Sequence, residues 1–253
     1  MRNRKGSARG FTLTEVTLVV VFVSMFVMLL GGSILSGAAV SNESTVEAEV
    51  VAVANDALDA ISGALYQAVD YSNAAADGSA LTFRHGQDSN GDLALEPGIW
   101  QLVGGGSADA VSATFRDGFA YRARFLADGP GLVEAVAQVD LNGDGDLADT
   151  VATGRMVLEV LDVGGNVIPA MTRSFGGSRV HFVQNAFNGA QPVRIFSAAG
   201  APQTALTVNG AGVGEGDPNA VQVNLTVVSR PFPTSGGGRT ARVVRLGKVT
   251  ARR

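Results

Sequence analysis

The chain contains no cysteine, which excludes a disulfide framework, a thiolate metal site, a cysteine nucleophile and a cysteine-linked lipid anchor. Its two histidines, His85 and His181, supply little for imidazole-ligated metal centres or histidine-based acid/base networks. Charged residues are 17% and hydrophobic residues 46% of the 253, too apolar for a disordered polypeptide and enough for one sizeable core. The 33 glycines follow no Gly-X-Y period, so collagen is excluded and loop-rich β structure is favoured. No fixed internal period supports a solenoid or propeller. There is no Gly-x-Ser-x-Gly elbow and no His-Glu-x-x-His helix, so the chain does not read as an enzyme.

The net charge of −4 averages three unlike regions. Arg2, Arg4, Lys5 and Arg9 form a basic start, and Arg239, Arg242, Arg245, Lys248, Arg252 and Arg253 a basic end, neither with an acid. The remaining 9 basic residues face all 23 acids, so residues 11 to 238 sum to −14. The basic start directly precedes the most apolar stretch, the arrangement in which the positive flank stays cytoplasmic and the body lies outside.

From Val16 to Asn42 no residue is charged, and Leu18 to Leu30 is nearly continuous Val, Phe, Met and Leu. At about 1.5 Å per residue, a helix from Phe11 to Ile34 spans a hydrocarbon core of roughly 30 Å. Glu15 stands at the start of this run. An intramembrane carboxylate is expensive and is tolerated mainly where a partner is provided.

The string Gly10-Phe11-Thr12-Leu13-Thr14-Glu15, after a short basic leader and before an apolar helix, resembles the prepilin motif of type IV pilins and type II secretion pseudopilins. The resemblance implies a leader of residues 1–10, removed by a prepilin peptidase that cuts between Gly10 and Phe11 and methylates the new Phe11 amino group. It also implies that Glu15 is an assembly residue, its carboxylate pairing with the amino-terminal ammonium of a neighbouring subunit. Such a pair sets register, because either charge left alone in low dielectric is heavily penalised. Other readings of the same segment are a secretory signal cleaved after Ser36 to Ala39 and an uncleaved membrane anchor.

Beyond Glu43 the helical period continues through Val46, Val50, Ala54, Ala57, Ile61, Leu65 and Ala68, with acids and Gln67 between. One helix from Phe11 to about Tyr71 is expected, on the order of 90 Å long. Residues 11–35 would form its membrane and assembly part and residues 36–71 its amphipathic continuation. Gly31, Gly32 and Gly37 either bend or melt a turn, at roughly 1 kcal/mol per glycine, or permit close helix packing.

Residues 72–253 read as a β-rich outer domain. Alternating runs at Phe119–Leu126, Leu132–Val139, Met156–Val163, Arg179–Gln184, Val193–Ser197, Val221–Val228 and Arg242–Val249 predict an antiparallel sheet. The fold class is therefore α+β, the helix covering one sheet face. This order agrees with a pilin-like fold, and the large outer domain is most like a minor pilin or pseudopilin. Gly236 to Gly238 reads as a hairpin turn. The basic carboxy-terminal strand would suit DNA phosphates, as in competence pilins, although charge on an edge strand also guards against aggregation.

Two acidic runs complete the pattern. Asp140, Asn142, Asp144 and Asp146 alternate, Gly145 takes the sixth place and Asp149 follows, which matches the start of an EF-hand-type calcium loop. Val151 stands at the twelfth place, where such loops carry a bidentate Glu. A sparser set is Asp88, Asn90, Asp92 and Glu96. Asx/Gly turns between strands give the same composition without metal. No cofactor is required by these patterns; Ca2+ is the one they could hold.

The sequence thus points to a structural subunit, a minor pilin or pseudopilin of a type IV pilus, secretion pseudopilus or competence filament. Its expected partners are prepilin peptidase, other pilin subunits and the inner membrane, which it crosses once before entering a surface or periplasmic filament. The alternative is a secreted or anchored calcium-dependent binding module without a filament role.

Overall fold

The computed structural model describes residues 12–87, 96–97, 120–162, 165–184, 186–188, 191–199, 220–234 and 239–251. In chain order these form helix α1 (Leu13–Tyr66) and strands β1 (Ala68–Ala74), β2 (Ala80–Gln87), β3 (Glu96–Pro97), β4 (Ala120–Ala127) and β5 (Leu132–Val133). A short helix α2 (Glu134–Ala137) precedes β6 (Thr150–Val151) and β7 (Thr153–Leu161), and a 3-10 turn at Pro169–Met171 precedes β8 (Arg173–Phe175). There follow β9 (Val180–Val183), β10 (Ala186–Asn188), β11 (Gln191–Val193), β12 (Phe196–Ala198), β13 (Ala220–Ser229), β14 (Phe232–Pro233), β15 (Arg239–Thr240) and β16 (Val243–Ala251). The architecture is α+β.

The chain divides into two units, residues 1–44 with 233–238, and residues 45–232 with 239–253. In the first, the described residues are mostly helix. Its start is a capping box: Thr12 Oγ1 accepts the Glu15 N–H at 3.3 Å, and Glu15 Oε2 accepts the Thr12 N–H at 2.8 Å and its hydroxyl at 2.9 Å. The helical hydrogen-bond pattern is unbroken through Gly31, Gly32 and Gly37, so no turn melts there. A Cβ at any of the three would meet nothing within 4 Å. Helix propensity costs are per residue and small, and the strong formers on either side carry the helix through.

In the second unit the rest of α1 buries one stripe, Val50, Ala54, Ala57, Leu58, Ile61 and Leu65. The steps of three and four place them on one face. They pack with Leu81, Phe83, Ala123, Phe125, Met156, Leu158, Phe182, Val223, Leu225 and Val227, the inward residues of the sheet. The sheet runs β1-β2-β4-β7-β9-β13-β12, with β16 on β13, β8 on β7 and β3 on β2. Each described ladder is antiparallel, and β16 pairs β13 from Ala220↔Ala251 to Val228↔Val243.

Three expectations need correction, the first being that Val193–Ser197 is not one strand, since β11 ends at Val193 and β12 begins at Phe196. The helix ends at Tyr66, not Tyr71, and Ala68–Ala74 is a strand. Leu65, Ala68 and Tyr71 are all buried, so the same apolar spacing suits a helix face or a helix followed by a strand. Pairing with β2 decides it. Leu132–Val139 is also not one strand: two residues pair as β5, and α2 follows.

Candidate metal centre

The antiparallel pair Leu132↔Val151 and Val133↔Thr150 closes a loop of residues 134–149. The loop sits on a small second core of Ala137, Leu141, Val151, Val183, Val228 and Ala241. Leu141 is fully buried in it, and the Ala241 N–H donates to the Ala137 carbonyl at 3.0 Å, tying α2 to the segment before β16. Inside the loop the backbone turns at Gly143 (φ 85°) and Gly145 (φ 99°), in the left-handed region that favours glycine.

The acidic side chains divide into two roles. Asp140 folds the loop: its Oδ1 accepts the Gly143 N–H and its Oδ2 the Gly145 N–H at 2.9 Å. Asn142 holds two carboxylates, its Nδ2 donating to Asp144 Oδ2 at 3.0 Å and Asp149 Oδ2 at 2.7 Å. Its Oδ1 accepts the Asp144 N–H at 3.1 Å. These are Asx turns stacked in series, continued by Asp146 N–H to Asp144 Oδ1 and Ala148 N–H to Asp146 Oδ1.

The second role is convergence. One carboxylate oxygen from each of Glu134, Asp144, Asp146 and Asp149 lies within 4.8 Å of the others. Two unit charges about 5 Å apart repel by roughly 1 kcal/mol in water and about 3 kcal/mol at the effective dielectric near a protein surface. The Asp146 N–H on its carboxylate, more than any other contact, holds Asp144 below the ordinary 3.8, so it stays ionised at neutral pH. The three aspartates are exposed and Glu134 is fully buried.

Glu134 is the functional candidate that sequence spacing missed. It lies six residues before Asp140, outside the alternating run, within an apolar stretch that reads as strand. The available signal was that one carboxylate interrupts that stretch. Glu134 Oε1 accepts the Leu141 N–H at 2.6 Å and the Asn142 N–H at 3.1 Å, while Oε2 is buried with no hydrogen-bond partner among the described residues.

The other sequence candidates fall elsewhere. Asp88, Asn90 and Asp92 lie outside the described residues, as do Gly10, Phe11 and the Gly236–Gly238 turn; of Glu96 only the backbone, in β3, is described. Glu15 is at the exposed amino end of α1 with Thr12. Of the basic end, Lys248 pairs with Asp59 at 3.1 Å, and Arg245 Nη2 donates to the Asp140 carbonyl at 3.2 Å.

Comparison with protein-family models, curated proteins and solved structures finds no match to this chain.

Proposed function

We propose that the chain is a structural, filament-forming subunit of the pilin or pseudopilin kind, anchored in the inner membrane by the first half of α1 before assembly. The observation that carries this reading is the contrast within one helix. Before Val50 no described residue is buried, although Leu18 to Leu30 is the most apolar stretch of the chain. Val19, Val20, Val21 and Phe22 are consecutive and each more than half exposed, so every side of the helix is apolar and open. Fully burying one such side chain is worth about 1.5–3 kcal/mol. A helix apolar all round requires lipid or other helices, and its length and hydropathy suffice to cross a membrane.

The amino-terminal motif gives this helix its filament reading. A prepilin peptidase would release Phe11 as a methylated amino terminus, and Glu15 would meet that ammonium on a neighbouring subunit as the helix passes from lipid into a helical bundle. The β-sheet unit would face outward, with a structural rather than catalytic role. The test is intact-mass and amino-terminal analysis of the full chain extracted from membranes of cells that contain prepilin peptidase. The expected mature form begins at methylated Phe11. A chain beginning at Ala39 or Val40, or an uncut chain, overturns the proposal.

A further inference from the structure

We infer that the loop closed by β5 and β6 is a calcium site whose innermost ligand is Glu134, with Asp144, Asp146 and Asp149 as the remaining carboxylates. The proposal does not depend on the filament reading.

Three independent features lead to it. First, the four carboxylate oxygens lie within 4.8 Å of one another. Calcium takes oxygen ligands at about 2.3–2.6 Å, so ligands on opposite sides of one ion stand at most about 4.6–5.2 Å apart. Magnesium, in contrast, is usually held by one or two carboxylates and keeps several waters. Second, Glu134 Oε2 is enclosed without a hydrogen-bond partner among the described residues, while Oε1 of the same group already accepts two N–H donors. A buried anionic oxygen is costly unless a cation or donor meets it. Third, no described lysine, arginine or histidine pairs with any of the four carboxylates. Arg245, which reaches this loop, donates to the Asp140 carbonyl rather than to a carboxylate of the group.

The chemistry also resolves the mismatch at Val151. An EF-hand loop takes its last carboxylate from a glutamate after the turn. Here the twelfth place is a strand residue that pairs with Leu132 and packs into the second core. The glutamate comes instead from before the turn, from α2, and is drawn under the loop by the Leu141 and Asn142 N–H groups. Asp140 and Asn142 are then positioning residues. Asp140 sets the backbone path, and the Asn142 amide holds Asp144 and Asp149 side by side. An ion would join α2, the turn and the residue before β6, and so fasten a loop whose carboxylates otherwise repel.

Calorimetric titration and thermal unfolding of the full chain in detergent, with CaCl2 as ligand after chelator treatment, test this. Wild type should bind one calcium and melt several degrees higher in millimolar calcium than in chelator. Glu134→Gln keeps the size and an acceptor for the two N–H groups but loses the charge, and should weaken calcium at least tenfold. Asp146→Asn alters an exposed ligand and keeps the acceptor for Ala148 N–H, so it should also weaken calcium at least tenfold even if Glu134→Gln fails to fold. Asp59→Asn, on α1, should bind as wild type. Absence of a calcium response in wild type overturns the site. So does calcium affinity unchanged in Asp146→Asn, and a magnesium response equal to that of calcium overturns the choice of ion.

Discussion

Glu134 and Asp149 meet twice across fifteen residues: the Glu134 N–H donates to the Asp149 carbonyl at 3.0 Å, and their carboxylates converge in one group. The backbone bond at the loop base brings the two carboxylates together. Glu134 thereby both accepts the Leu141 and Asn142 N–H groups inside the loop and joins the carboxylate group.

Glu15 combines two roles that substitution can separate. Thr12→Ala removes the cap and should cost the helix about 1 kcal/mol, leaving the Glu15 charge in place. Glu15→Gln retains a capping-box side chain but removes the charge. If Glu15 acts through its charge on a neighbouring amino terminus, Glu15→Gln abolishes incorporation into sheared filaments and Thr12→Ala does not. The reverse order would assign Glu15 to capping alone. Immunoblotting of filament and membrane fractions measures it.

Gly154 lies where β7 passes β4, and a Cβ there would come within 2.0 Å of the Leu126 carbonyl oxygen and 2.8 Å of Ala127 Cα. Backbone cannot yield as a flexible side chain does. Gly154→Ala should destabilise by about 3 kcal/mol. Gly63, exposed on α1 with open space around it, provides the opposite sign, and Gly63→Ala should stabilise by about 0.5–1 kcal/mol. Denaturant midpoints of the full chain in detergent, at unchanged slope, read both.

His85 sets a pH dependence. Its Nε2 lies 2.8 Å from the Ala64 carbonyl, and its ring stacks on Tyr121 with centroids 4.4 Å apart. Burial pushes its pKa below the ordinary 6.5, partly opposed by the Ala64 carbonyl. His181 is lowered too, by burial and then by Arg230, with Asp128 opposing. The folded state therefore takes up protons later than the unfolded chain. Stability is fully present above about pH 6.5 and falls as the pH drops from there toward the folded values. Unfolding free energy should fall between pH 7.5 and 5.5, and His85→Gln should flatten that slope while keeping a donor for Ala64.

Much of this molecule was legible in its residues. The three- and four-residue spacing from Val50 to Leu65 gave the buried helix face, and alternation gave the runs corresponding to β4, β7, β9, β13 and β16, because each pattern reports one local period. The glycine at the sixth place of the aspartate run marked a left-handed turn, since few other residues adopt that backbone.

The end of α1, the identity of α2 and the place of Glu134 were not legible. Leu65, Ala68 and Tyr71 satisfy two periods at once, and only the ladder to β2 separates them. A four-residue helix is too short to show a period. Its ends are fixed by the Asp149 carbonyl and the Ala241 N–H, 15 and 104 residues away from Glu134 and Ala137. The sequence alone determined which segments are apolar, where the chain turns and where carboxylates gather, because those depend on near neighbours. Which carboxylate of the group is buried was decided only in three dimensions, since burial is a property of everything that packs around a residue.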